Sequence, residues 1–574
     1  MSPKTKLKPV VLKDSVILIS AALFIVVIII IYNSQFTMAQ PGKPENVIFV
    51  NQAGYLPEQQ KWVVSARPAS QFVVVNEDTG EIIFQGRLHS KGDYTSKKRI
   101  WRGDFTNVRK PGRYRIEIKG IGASYSFKID KDVYNPLLEL GMRSFYLQRC
   151  GIALDDPETG LRHPLCHKDD GYIMRADNFF SANARIISTG GWHDAGDYGK
   201  YVPTTAVTVA QMLTAFELWP EKFTDGQFRI PESGNGAPDI LDEALIGLKW
   251  LLTMQRPDGA VYHKLSGKRW PSNFSPDYDT SYRFLFGIST ASTGKFAATM
   301  AIASRVWKTL DPEFSRRFLE AALKAWEFLE SHPFMWDHTD FDDEGSGAYG
   351  QIDDRVDRLW AALELATVRP EIKPAAGLKK ELEQYKPTAP SWNDAAILGV
   401  FHYQRFEQAD PVLRKKTEAM LVSLADSYLK NAKKSGYGYT LLFSDFAWAS
   451  NKTGLARGIV LALANIVRPD PQYLNAATAQ LDFVLGCNPL SKCFVTGIGS
   501  NPVAAPHHRF ISHTGIVIPG LLAGGPNNNA ESGVEPKGQG PFSYDDNRMA
   551  YSCNEPAIDY NAALILLTAA FAAP

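Results

Sequence analysis

The stretch Phe127-Lys128-Ile129-Asp130-Lys131-Asp132-Val133-Tyr134-Asn135-Pro136-Leu137-Leu138-Glu139-Leu140-Gly141-Met142 is where one kind of chain gives way to another. Before it, β-branched or alternating runs occur at Phe72-Val73-Val74-Val75, Ile82-Ile83-Phe84 and Tyr114-Arg115-Ile116-Glu117-Ile118. Turn residues separate them at Asp78-Thr79-Gly80, Lys91-Gly92-Asp93 and Pro111-Gly112. Short strands spaced in this way over 45–131 predict a small β-sandwich. After Asp132, apolar residues recur at helical spacing over 134–148, 203–219, 239–255, 292–308, 314–331, 355–367, 412–431, 454–466, 471–485 and 559–572. Many helices with little strand signal predict a mainly α domain over 133–574. The segments 165–200, 256–291 and 487–558 read as long loops rich in Gly, Pro and aromatics, and long ordered loops usually carry function.

A chain of 574 residues exceeds one ordinary core, in keeping with two domains. Lys and Arg number 62 against 61 Asp and Glu, so no basic excess exists to neutralise phosphates, and a nucleic-acid partner is excluded in favour of a neutral ligand. Residues 1–39 read as an address. Lys4, Lys6, Lys8 and Lys13 precede an apolar run from Val16 to Tyr32. That is the pattern of a secretory signal, cleaved near Thr37-Met38-Ala39, or of a single membrane anchor with its basic end inside. Either reading sends the protein out of the cytoplasm. Five cysteines, Cys150, Cys166, Cys487, Cys493 and Cys553, are too few for a disulfide scaffold.

Three segments carry chemistry. Gly190-Gly191-Trp192-His193-Asp194-Ala195-Gly196-Asp197-Tyr198 sets two carboxylates three residues apart in a glycine-rich loop. Such a pair can hold and deprotonate a water, and each Asp is equally a cap or turn residue. Tyr544-Asp545-Asp546-Asn547 precedes Tyr551-Ser552-Cys553-Asn554-Glu555-Pro556-Ala557. Apolar surroundings would let Glu555 hold its proton, as a general acid requires, while a plain helix-start Glu gains from the dipole. Pro506-His507-His508-Arg509 offers donors to hydroxyls.

Taken together these segments resemble glycoside hydrolase family 9. The match runs through Gly191–Tyr198, Gly499-Ser500-Asn501 with Pro506–Arg509, and Tyr544-x-Asp546 with Tyr551, Glu555, Ala557 and Asn561-Ala562. Val50-Asn51-Gln52-Ala53-Gly54-Tyr55-Leu56-Pro57 resembles the opening of the immunoglobulin-like domain that precedes one branch of the family. The resemblance implies an (α/α)6 barrel behind an immunoglobulin-like β-sandwich. It implies an inverting hydrolase of β-1,4-glucan, usually cutting internally. It assigns Asp197 as base, Asp194 as its partner on the water, Glu555 as acid, and His507, Arg509 and Asp546 to substrate binding. An exo-acting glucosidase or glucosaminidase on the same scaffold is the alternative, ahead of a non-catalytic carbohydrate-binding surface protein.

The same resemblance bears on metals; no organic cofactor is implied. Cys150, Cys166, His167 and His193 match a Cys2His2 zinc set of the related branch, with His163 in reserve and a Cys150–Cys166 disulfide as the competing reading. Asp353, Asp354 and Asp357 precede Arg358-Leu359-Trp360 where relatives hold calcium, and Asp394 could join them, though Val356 stands where another acid is expected. Trp270, Tyr278, Tyr282, Tyr349 and Trp448 are candidates for stacking on sugar rings.

Overall fold

The computed structural model describes residues 46–336, 346–371 and 375–574. The N-terminal address at 16–32 and its cleavage site at 37–39 lie outside the described residues. Among the described residues no helix is long and apolar enough to cross a membrane.

The strand-rich part folds as expected. Eight strands form it: β1 (Ile48–Phe49), β2 (Trp62–Ser65), β3 (Gln71–Asn76), β4 (Ile82–Asp93), β5 (Lys98–Asp104), β6 (Gly112–Ile118), β7 (Gly122–Ala123) and β8 (Phe127–Ile129). They pair antiparallel in the order β1-β2-β5-β4-β3-β6-β7, with β8 also on β6. The alternation in β6 puts Tyr114, Ile116 and Ile118 inward, onto Phe72, Val74, Phe105 and Phe127.

Among the described residues, twelve helices of ten residues or more make the second part. They are α1 (Asn135–Tyr146), α2 (Val202–Leu218), α3 (Asp239–Thr253), α4 (Thr290–Trp307), α5 (Pro312–Ser331) and α6 (Arg355–Val368). After these come α7 (Ala375–Gln384), α8 (Ala396–Arg405), α9 (Pro411–Lys434), α10 (Ser450–Val467), α11 (Pro471–Val484) and, past the short α12 (Arg509–Thr514) and α13 (Tyr551–Asn554), α14 (Ile558–Ala569). Alternate helices pack on one another: α14 on α2, α2 on α4, α4 on α6, α6 on α8, and α10 on α14. These form an inner ring, and the others cover it, giving an (α/α)6 barrel. The sequences explain the division. Every residue of α14 is buried and apolar residues crowd its whole circumference, whereas α5 buries only the stripe Phe318, Ala321, Ala322, Ala325, Phe328 and Leu329.

Two features differ from expectation. Residues 256–291, read as a loop, contain β13 (Tyr262–Gly267) and β14 (Arg283–Ile288), which pair antiparallel. With β11 (Tyr172–Ile173) and β12 (Lys200–Tyr201) they form a sheet of order β11-β14-β13-β12; the small pair β9 (Leu154–Asp155) and β10 (Arg162–His163) lies upstream. Helices α7 and α8 also went unread. The apolar run Ala396–Phe401 is too short for its period to distinguish helix from strand.

The β-sandwich and the helices form one compact unit from Val47 to Pro574. Gln52 Oε1 accepts from the backbone N–H groups of Ser500 (3.0 Å) and Asn501 (2.8 Å), bracing the segment that leads to Pro506–Arg509. Asn51 Nδ2 donates to buried Asp482 at 2.8 Å, and Gln59 Nε2 to the same carboxyl at 3.0 Å. Burial pushes that carboxyl up to about 7.

Candidate active site

The loop before α2, the segment before α12 and the segment before α14 interlock through the backbone. Gly196 N donates to Glu555 Oε1 at 3.1 Å, and Arg509 N donates to Gly196 O at 2.9 Å. His507 N donates to Asn554 O at 3.2 Å, and Ile558 N to Asp194 O at 2.8 Å. Gly196 has no side chain because there is no room for one. A Cβ there would stand 2.5 Å from the His507 carbonyl oxygen and 2.8 Å from Glu555 Oε1. Three segments, the first 359 residues from the last at the Gly196–Glu555 bond, thus define one site.

That site opens into a cavity of about 990 Å³. Asp194, Asp197, His507, Arg509 and Glu555 all line it. Asp194 is buried, and both its oxygens accept hydroxyl bonds: Oδ1 from Thr204 Oγ1 (2.5 Å) and Oδ2 from Tyr349 Oη (2.7 Å). Burial raises its carboxyl well above the usual range, and the nearby Asp559 and Asp197 charges add to this against the hydroxyl bonds. Asp197 Oδ2 accepts from Gly199 N (3.1 Å) and Tyr201 Oη (3.3 Å). The Tyr201 hydroxyl in turn accepts from Gly347 N at 3.1 Å, so the loop at 346–350 helps fix both carboxylates. Glu555, in the extended link between α13 and α14, is pushed up to about 8. Burial is the main cause and the Asp197 charge the second, while Arg509 and the Gly196 N–H pull the other way. A carboxyl that keeps its proton near neutrality therefore shares a cavity with a second carboxylate held by hydroxyl and amide donors.

His507 Nδ1 bonds the Arg548 carbonyl at 2.6 Å. Arg509 Nε donates to Pro271 O at 2.7 Å and its guanidinium lies over the Trp270 ring, 5.5 Å from its centroid. Trp270, Tyr349 and Trp448 line the cavity. Three expected residues lie elsewhere. Asp546 is absent from the lining; it accepts from Lys492 Nζ (2.6 Å) and from the N–H groups of Ala504 and Ala505, so it holds the loop ahead of His507. Tyr278 packs on His513 and Tyr282 on Tyr172, both away from the lining. Trp392 went unnoticed in the sequence because it sits among turn residues; it lines the cavity with its ring 5.2 Å from that of Tyr349.

Directly behind Asp194, Cys150, Cys166, His167 and His193 bring one donor atom each within 4.8 Å of one another, all buried. Cys150 Sγ lies 3.5 Å from His167 Nδ1, and His193 Nε2 lies 3.3 Å from that same nitrogen. A tetrahedral centre with metal–sulfur bonds of about 2.3 Å and metal–nitrogen bonds of about 2.0 Å has edges of roughly 3.3–3.8 Å, so these residues fit a metal ion. His167 Nε2 faces Asp279 Oδ2 at 3.4 Å, the outer partner a ligating imidazole commonly has. All five cysteines are free, so the Cys150–Cys166 disulfide is absent. Burial alone would raise the Cys150 thiol, but the bond to Cys166 and the charges of Lys200, His193 and His167 bring it well below the usual range, as a ligand thiolate needs. His163 is not of this group; its ring stands edge-on to Phe510.

The four acids expected to hold calcium do not form one donor set among the described residues. Lys295 Nζ lies 2.5 Å from Asp357 Oδ1 and also bonds Gln351 Oε1. Asp354 is paired with Arg358 (2.9 Å) and Asp353 with Arg355. Asp394 accepts from Thr388 Oγ1 (2.8 Å), Tyr385 Oη (3.1 Å) and Ala396 N (3.1 Å). Lys295 from α4 is thus the cation paired with Asp357, and each of the other three acids has protein partners of its own.

Comparison with known proteins agrees with this geometry. Residues 134–568 match the profile of glycosyl hydrolase family 9, and residues 43–123 that of the cellulase N-terminal ig-like domain. Endoglucanase D of Acetivibrio thermocellus is 33% identical over 537 residues, covering 91% of this chain and 83% of the relative. The crystal structure of a metagenome-derived glycoside hydrolase family 9 endoglucanase superposes with a TM-score of 0.89 at 44% identity, covering 92% of this chain and 99% of that one. That of a Zn-binding triple mutant of a family 9 endoglucanase superposes with a TM-score of 0.86 at 37% identity, covering 90% and 99%.

Proposed function

The chain belongs to glycosyl hydrolase family 9, and we propose that it is an exported, inverting endo-β-1,4-glucanase. The observation that carries this reading is the Glu555 carboxyl, pushed up to about 8, in one cavity with Asp197 and Asp194. Glu555 protonates the glycosidic oxygen as the bond to the anomeric carbon breaks. A water attacks that carbon from the opposite face and gives its proton to Asp197, so the two carboxyls change protonation in opposite senses. Asp194, held by Thr204 and Tyr349, orients the same water. His507 and Arg509 contact the sugar, and Trp270 and Trp448 supply faces on which pyranose rings stack. Internal cleavage is supported by the endoglucanases to which the chain is similar. Export is supported by the lysines ahead of Val16–Tyr32.

Zinc is the metal we assign to Cys150, Cys166, His167 and His193, where it would supply a structural cross-link and take no part in bond cleavage. It would brace the back of the loop whose front carries Asp194.

The test is reducing-sugar release and viscosity on carboxymethylcellulose, and sugar release from chitosan oligomers, for the wild type beside Glu555→Ala. Rapid viscosity loss that the variant lacks, by about 10²–10⁴-fold, is the expected result. Release of single sugars from oligomers with polymer viscosity unchanged would overturn internal cleavage.

A further inference from the structure

The face of the β-sandwich that meets the helices carries a cluster of cations. Val64 on β2 lies opposite Arg102 on β5, and Ile100 lies opposite Lys91 on β4. Residues opposite one another share a face of the sheet, and so do residues two apart along a strand. Trp62, Lys91 and Arg102 therefore stand on the face that sends Val64 and Ile100 into the helical core. A cavity of about 550 Å³ lies between that face and helices α9 and α11. Lys91, Arg102 and Lys433 line it, and no Asp or Glu does. The whole chain balances 62 basic against 61 acidic side chains, so this lining is a local departure. None of its residues lines the catalytic cleft.

Arg102 is held in place but not neutralised. Its guanidinium carbon lies 3.5 Å from the centroid of the Trp62 ring, a stack that fixes the guanidinium plane and leaves the N–H donors at its edge. Nη1 donates to Gly436 O at 3.3 Å, and Nε is sealed in the interface. Nη2 is not among the sealed atoms and has no partner among the described residues. Lys91 Nζ donates to the carbonyls of Ser435 (3.0 Å) and Lys433 (3.3 Å), at the end of α9. Capping α9 accounts for Lys91 alone, not for a guanidinium beside it. Burial brings Arg102 down to about 10, which the Asp104 and Asp482 charges only partly offset. Burial and the Arg102 charge also bring Lys91 below its ordinary value, against the Asp93 charge. Two half-buried cations that disfavour each other are relieved by an anion between them.

The rest of the lining narrows the kind of anion. The amides of Gln60 and Asn475 line the same cavity, and an amide both donates to and accepts from hydroxyl groups. A free phosphate would use the cations and leave the amides idle. A sugar ring with a carboxylate uses both, and the volume suits one or two such rings.

We propose that this cavity is a second saccharide site, separate from the cleft, that takes a sugar unit bearing a carboxylate, a uronic acid residue. The carboxylate meets Arg102 Nη2 and the Lys91 ammonium, and the ring hydroxyls meet the amides.

Binding of cellobiouronic acid, a glucuronate β-1,4-linked to glucose, is measured by calorimetry on the full chain carrying Glu555→Gln, with and without Arg102→Met. Arg102→Met is expected to weaken binding about tenfold or more, the loss of a charge-assisted hydrogen bond. Lys433→Glu, which sets an acid in the lining at an exposed position, should weaken it about threefold or more. Cellobiose, of the same size without the charge, should bind equally well to all three proteins. Cleavage of cellohexaose by the active protein should stay within about twofold in either variant, since neither residue lines the cleft. A larger drop would overturn the separation of the two sites. A loss of cellobiouronic acid affinity under twofold, or an equal loss for cellobiose, would overturn the site itself. Inorganic phosphate bound as tightly as cellobiouronic acid would overturn the choice of a saccharide. If Arg102→Met does not fold, Lys433→Glu is judged by the same twofold limit. A wild type inactive on β-glucan would remove the reading of the cleft and leave this test standing, because it reads binding alone.

Discussion

Two clusters of metal-type side chains, one of cysteine and histidine and one of aspartate, met different fates on folding. Cys150, Cys166, His167 and His193 converge until their donor atoms lie within 4.8 Å of one another. Asp353, Asp354, Asp357 and Asp394 instead go to Arg355, Arg358, Lys295 and the Tyr385 and Thr388 hydroxyls. Donor types at suitable spacing are common to both. What separates them is the partners each meets: Lys295 on α4 pairs with Asp357 and neighbouring arginines with Asp353 and Asp354, while the Cys/His group draws together with its donors turned toward one another. A divalent ion beside an ammonium would meet direct repulsion, so a cluster holding its own lysine has little use for a metal.

The largest effect expected from this contrast is at Lys295. Lys295→Met strands Asp357 in the interior, and denaturant unfolding should show a loss of about 3–5 kcal/mol. Millimolar calcium should leave the thermal midpoint of the wild type within about 1 °C. A clear rise would mean that calcium binds there and the contrast fails. Next comes the other cluster. Elemental analysis of the wild type should find one zinc per chain, and Cys166→Ser should lose it together with about 5 °C of thermal midpoint. A zinc-free wild type with an intact Cys150–Cys166 bond would remove the metal centre.

A smaller effect belongs to Glu555. Because its carboxyl is raised to about 8 from an ordinary value of 4.5, activity that needs the protonated form should fall as pH rises through about 8. Stability follows the same sign: the folded state favours the proton, so the contribution is whole below about 4.5 and lost as pH rises through about 8. Glu555→Gln should therefore be more stable than wild type at pH 8.5, by about 1–2 kcal/mol, and equal to it near pH 4. Equal stability at both pH values would show that the carboxyl is not raised.

Much of this architecture was legible before any coordinates. Helices with a full apolar stripe, such as α5, announced themselves, and so did the alternation in β6. The hairpin β13–β14 did not, because its strands sit among turn residues and take their place from the sheet they join. The candidate carboxyls Asp194, Asp197 and Glu555 were picked out through three motifs in order, and all three line one cavity. Their partners Thr204, Tyr201 and Tyr349 were not, since what makes them partners is the approach of distant segments. The bonds of Asp546 to Lys492 and the 504–505 backbone were not legible either, for the same reason. Local pattern reports which residue types are present, and the fold decides which cation or hydroxyl each one meets.

The central claim is that Glu555 and Asp197 act from opposite faces of the scissile bond. Proton NMR of cellohexaose hydrolysis, followed from the first minutes, tests it directly. The account predicts that the new reducing ends appear as the α-anomer and then mutarotate. First appearance of the β-anomer would mean retention through a covalent intermediate, and would contradict the assignment of Asp197 as a base acting through water.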